Sequence, residues 1–145
     1  TITDKKTLFT ENNSLYPKAY VTVNTDTTYI KEGSSSLKHE SVGTSTNEVI
    51  LHVNMTKAPK DISDYMNGDG YLHMWVYLEG ADTMSLSGQI ELTSGGMCDI
   101  GEKSWSVGLI REDGWNELYL PLSSPTWTNG GTFNPAKCNY IQGFK

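Results

Sequence analysis

The chain has 145 residues, a formal net charge of −6 and a single arginine, Arg111. That length predicts one domain spanning 1–145, large enough to bury about 70% of its unfolded surface without staples. The shortage of clustered Lys and Arg excludes counterion-release binding to nucleic acid and attraction to an anionic bilayer, and no apolar run is long enough for membrane insertion as a helix. Along the chain, short runs that alternate apolar and polar residues recur between turn signals, with no long helical period. Strands are predicted at 7–10, 19–24, 36–41, 48–54, 71–79, 89–93, 104–110, 116–122 and 140–145. Between them lie Glu32-Gly33-Ser34, Asn67-Gly68-Asp69-Gly70, Ser94-Gly95-Gly96, Asp113-Gly114 and Asn129-Gly130-Gly131, all turn chemistry. The one predicted helical turn is 61–66. Many short strands with Gly-rich turns predict an all-β fold, a β-sandwich of two antiparallel sheets.

The segment Tyr71–Leu78 is the most informative. Leu72, Met74, Val76 and Leu78 alternate with Tyr71, His73, Trp75 and Tyr77. Because a strand sends successive side chains to opposite faces, one face joins a core and the other presents rings with polar edges. The same phase recurs later. Ile90 and Leu92 oppose Gln89, Glu91 and Thr93, and Leu118, Leu120 and Leu122 oppose Glu117, Tyr119 and Pro121. If these strands are neighbours, His73, Trp75, Tyr77, Gln89, Glu91, Glu117 and Tyr119 form one continuous face. Such a face is flat enough for pyranose rings and carries acceptors for their hydroxyls. The competing reading is that a loop such as 57–67 covers it and makes Trp75 part of a second core.

Other residues divide between packing and chemistry. Trp105 is in phase with Val107 and Leu109 and reads as core, and Trp115 follows Gly114 at a strand start and reads as an anchor closing the sandwich edge. Trp127 lies in a polar loop and serves either as rim packing or as a ligand platform. His39, His52 and His73 show no metal-ligand spacing, and no Ser or Cys carries the signature of an activated nucleophile. Glu91 and Glu117 would make a glycosidase pair only if about 5–9.5 Å apart, and no second acid lies in phase beside Glu91. Catalysis is therefore not expected. Cys98 and Cys138 fit no zinc or redox pattern and read as free thiols or as one disulfide. No leader is visible at Thr1, so the chain reads as a mature or excised fragment.

Several motifs in order resemble those of jelly-roll carbohydrate-binding modules. Tyr29-Ile30-Lys31-Glu32-Gly33-Ser34-Ser35-Ser36-Leu37-Lys38 resembles their early turn and strand, and Tyr71–Leu78 their central aromatic strand. Gln89-Ile90-Glu91-Leu92-Thr93-Ser94, Gly114-Trp115-Asn116-Glu117-Leu118-Tyr119-Leu120-Pro121-Leu122 and the run from Gly130 to Ile141 resemble their later strands. The resemblance implies a jelly-roll β-sandwich that binds a polysaccharide or glycan without catalysis, within a larger, secreted or cell-surface, glycan-degrading chain of bacterial type. Binding would then use Trp75, Tyr77 and His73 as ring contacts and Gln89, Glu91, Glu117 and Tyr119 for hydroxyls, with Trp127, which departs from the small polar residues of relatives, as a loop-edge candidate. The resemblance also implies a structural calcium, for which Glu11, Asp26, Glu32 and Ser34 are the local candidates. The alternatives are a structural or adhesive spacer with no sugar ligand, and a small hydrolase or lyase. Exposure of Trp75 and Tyr77 separates glycan binding from the spacer.

Overall fold

β-branched and aromatic residues at alternating positions favour extended chain, and glycine turns close it. A computed structural model of the chain describes residues 20–40, 51–80, 88–97 and 99–143. Within them run β1 (Tyr20–Asn24), β2 (Ser36–Glu40), β3 (Leu51–Asn54), α1 (Ser63–Met66), β4 (Tyr71–Leu78), β5 (Gln89–Thr93), β6 (Glu102–Ser106), β7 (Gly114–Pro121), β8 (Trp127–Asn129) and β9 (Tyr140–Gly143). The expected strand at 7–10 lies outside the described residues. β1 pairs with β2, β4 pairs with β7, and five strands join in the order β3-β9-β5-β6-β8. Every one of these pairings is antiparallel. The chain is thus all-β, with several antiparallel sheets, and no helix among the described residues is long and apolar enough to cross a membrane.

Two boundaries differ from expectation for local reasons. The strand expected at 104–110 is drawn back to Glu102–Ser106, and Gly108 at φ 77° turns the chain away after it. The run expected to start at 116 starts at Gly114, where φ is 91°. β8, expected as loop, pairs with β6 as the sheet's edge strand.

The core lies between the β4–β7 pair and the five-stranded sheet. Ile90, Leu92, Trp105, Leu120 and Ile141 are buried together, with Leu72, Met74, Val76 and Leu118 packed against them. Trp105 is 2% exposed, and its Nε1 donates to the Pro121 carbonyl at 2.7 Å. That bond links the five-stranded sheet to β7. An indole buries 150–250 Å², so its burial alone contributes about 4–6 kcal/mol before entropy is set against it.

One end of the core is closed by Met55, Met66, Phe133 and Cys138, with Ile62 against them. Here Lys60 N donates to Cys138 O at 2.8 Å and Ile62 N to Pro135 O at 2.9 Å. The 57–67 segment therefore packs toward this end and is not the cover of the aromatic face. Gly70 follows α1 so closely that a side chain there would strike the backbone of Tyr65. Cys138 is a buried free thiol, and burial pushes its pKa up to about 11. Cys98 lies outside the described residues.

Candidate functional site

The register of β4 and β7 sets the outward face. His73 sits opposite Tyr119, Trp75 opposite Glu117 and Tyr77 opposite Trp115, with Tyr71 at the end of the row. Directly opposed residues share a face, so these side chains form one surface on the side away from the core.

This surface has two unlike halves. In the first, the rings of His73 and Tyr119 stack with centroids 4.5 Å apart and planes 18° from parallel. Tyr71 stands edge-on to Tyr119 at 6.1 Å. Glu117 Oε1 accepts from the Tyr119 hydroxyl at 2.8 Å and lies 3.0 Å from His73 Nε2. The bond to Glu117, aided by burial and by the charges of Glu117 and Glu32, holds the Tyr119 hydroxyl above the usual tyrosine range. Tyr71 and Tyr119 are 55% and 56% exposed, and His73 and Glu117 are open as well. A flat pair of rings beside a carboxylate can stack against a sugar's CH face and accept from its hydroxyls.

In the second half, Trp115 packs edge-on to Tyr77 at 5.3 Å and to Trp75 at 6.5 Å. Both indoles are half-buried. Part of their cover comes from the connection between β1 and β2. Lys31 Nζ lies 4.5 Å from the Trp75 ring centre and 5.8 Å from that of Trp115. Tyr29 packs edge-on to Tyr77 at 4.9 Å. The connection is shaped by its own residues. Asp26 Oδ1 caps the 3-10 turn Thr27–Tyr29 by accepting from Thr28 N at 2.9 Å. Asn24 Nδ2 donates to Ser36 Oγ at 3.0 Å, and Gly33 takes φ 75°.

Not every expected residue reaches this face. His73, Trp75, Tyr77, Glu117 and Tyr119 come together as expected. Gln89 and Glu91 do not, because β5 pairs with β6 and β9 rather than with β4 or β7. Ile90 and Leu92 point into the shared core, so Gln89 and Glu91 point outward from the opposite side. The single continuous face is thereby corrected to two faces, and Glu91 and Glu117 are not a facing carboxylate pair. Trp127 is opposite Ser104, itself opposite Glu91; it lies at the edge of that second face, 51% exposed. Trp115, expected as an anchor at the sandwich edge, stands in the aromatic row. Its phase with Glu117 and Tyr119 is the signal that places it there.

Three of the expected calcium ligands, Asp26, Glu32 and Ser34, lie on the connection between β1 and β2. The Asp26 carboxylate is engaged with its own turn, which holds its pKa below the usual carboxylate range. Glu32 is exposed beside the aromatic face, Ser34 is exposed, and Glu11 lies outside the described residues.

The second outward face is polar yet closed. Glu91, Thr93, Glu102, Ser104 and Gln142 are all buried there. Gln89 Nε2 donates to Glu91 Oε1 at 2.5 Å, Ser104 Oγ donates to Glu102 Oε1, and Thr93 Oγ1 donates to Met97 O at 3.0 Å. Among the described residues, Glu102 Oε2 and both amide atoms of Gln142 have no hydrogen-bond partner. Comparisons with protein-family models, with curated proteins and with solved structures find no match to this chain.

Proposed function

We propose that the chain is a non-catalytic carbohydrate-binding module of jelly-roll β-sandwich type, carried by a larger secreted or cell-surface chain that acts on glycans. The observation that supports this best is the open half of the β4–β7 face. Tyr71, His73 and Tyr119 form an exposed ring platform, and Glu117 offers a carboxylate acceptor beside it. Each ring covered by a sugar contributes about 1–3 kcal/mol through apolar burial. Hydroxyl contacts add little net energy, because they replace bonds to water. The affinity that follows is micromolar to millimolar, about 4–8 kcal/mol. Binding to a panel of plant and host polysaccharides, by wild type and by Tyr119→Ala, tests the proposal. At least a tenfold loss in the variant is expected; equal binding by both, or no binding to any polysaccharide, would sink it.

A second reading is a structural or adhesive spacer. It is favoured by Lys31 and Tyr29, which occupy the half of the face where Trp75, Tyr77 and Trp115 meet. The polysaccharide panel discriminates the two: a binding module binds at least one glycan and loses it in Tyr119→Ala, whereas a spacer binds none and Trp75→Ala costs it stability alone.

A further inference from the structure

The closed polar face holds a feature that the glycan reading does not use. Glu91, Asp99 and Glu102 each bring a carboxylate oxygen to within 4.8 Å of the others. Glu91 is on β5 and Glu102 on β6, and Asp99 is on the connection between them. Asp99 holds φ 61° there, and Gly130 packs so tightly that a side chain would strike the Asp99 carbonyl. Acidic groups often gather without an ion, so this cluster does not suffice by itself.

The independent observation is Gln142. It is 0% exposed and directly opposite Glu91 on β9, so its side chain enters the same face. Both its amide atoms lack a partner among the described residues, as does Glu102 Oε2. A buried amide with neither bond made carries its full desolvation cost, and native structures rarely leave one so. A cation bound by Glu91, Asp99 and Glu102 would take the Gln142 carbonyl oxygen as a further ligand and would offset the gathered negative charge.

We propose that Glu91, Asp99, Glu102 and Gln142 hold a divalent cation, and that the cation is Ca²⁺. The donors are all hard oxygens, with no thiol or imidazole among the clustered groups, which excludes a zinc-type set. Because Mg²⁺ sheds its water reluctantly and is seldom held by protein oxygens alone, a site built of three carboxylates and an amide carbonyl suits Ca²⁺. Bound there, it ties the 94–101 connection to three strands of the sheet, on the side of the core opposite the aromatic face. This proposal does not depend on glycan binding.

The test uses the full chain, stripped with chelator and then titrated with CaCl₂ by calorimetry and melted with and without it. One site saturating below about 1 mM is expected, with Tm raised by about 5–10 °C at a hundredfold excess over Kd. Asp99→Asn and Glu102→Gln should each weaken Ca²⁺ at least tenfold, and Asp26→Asn should leave it unchanged. Asparagine tolerates the left-handed backbone of position 99, so that variant tests the site even if Glu102→Gln fails to fold. Absence of both heat and Tm shift in the wild type would overturn the proposal. So would a response lost in Asp26→Asn and kept in Asp99→Asn. An equal shift with MgCl₂ would overturn the choice of calcium.

Discussion

The two outward faces of this molecule invert ordinary expectation. Rings are open to solvent on the β4–β7 face, while carboxylates and an amide are sealed on the face of β5, β6 and β9. Both arise from the same alternation of side chains along a strand, so the pattern alone does not distinguish them. What differs is the cover. A row of exposed large rings and a group of buried polar atoms are the departures from ordinary burial that carry information. The contrast separates a surface suited to a flat, transient ligand from an enclosed set of oxygens suited to an ion.

The largest expected effect tests the core that keeps the faces apart. Trp105→Ala removes the buried indole and its bond to Pro121, and should cost about 3–5 kcal/mol in urea denaturation. Trp75→Ala should cost only about 1–2 kcal/mol, because its ring is half-covered. Equal costs would erase the distinction between core and face.

Next is the pH dependence contributed by Cys138 at the closed end. Its thiol titrates near 11 when folded, against 9.0 for an unperturbed thiol. The unfolded chain therefore loses this proton first, and the native state binds more protons between these values. The contribution is fully present below pH about 9 and falls by about 2–3 kcal/mol as pH rises to about 11. Comparing urea unfolding of wild type and Cys138→Ala across that window checks it: the variant should lose this part of the slope.

On the open half, Tyr71→Ala should leave stability within about 0.5 kcal/mol of wild type while weakening glycan binding about tenfold. Glu117→Gln should bring the Tyr119 hydroxyl back toward the ordinary tyrosine range in an ultraviolet titration, since a charged acceptor no longer holds its proton. The smallest effect belongs to Lys31→Ala, which should cost about 0.5–1 kcal/mol of stability by removing the ammonium from above the indoles. If the covered half also binds glycan, this variant should bind more tightly than wild type.

Much of the β4–β7 face was legible in the sequence, because the alternation from Tyr71 to Leu78 fixes which side chains share a side. The adjacency of strands was not. Gln89 and Glu91 have the same phase as Glu117 and Tyr119, yet phase carries no information about which strand lies beside which. That is decided by long-range pairing, here β5 between β6 and β9. Trp115 escaped because Gly114 reads as a turn, and its positive φ still permits pairing with Leu78. β8 escaped because Trp127, Thr128 and Asn129 are too few to show a period among prolines and glycines. The cover over Trp75 came from Lys31, whose exposed, charged chemistry gives no sequence sign of ring packing. The buried acids were legible only as polar residues on a strand.

The four tryptophans report on separate parts of the molecule by optical means. Trp105 is sealed and hydrogen-bonded, Trp75 and Trp115 lie together beneath an ammonium, and Trp127 stands open at the sheet edge. Single-tryptophan variants should therefore emit at distinct wavelengths and be quenched to different degrees by acrylamide. With such labels built into the chain, an event at the aromatic face and one at the acidic face can be recorded independently in a single sample.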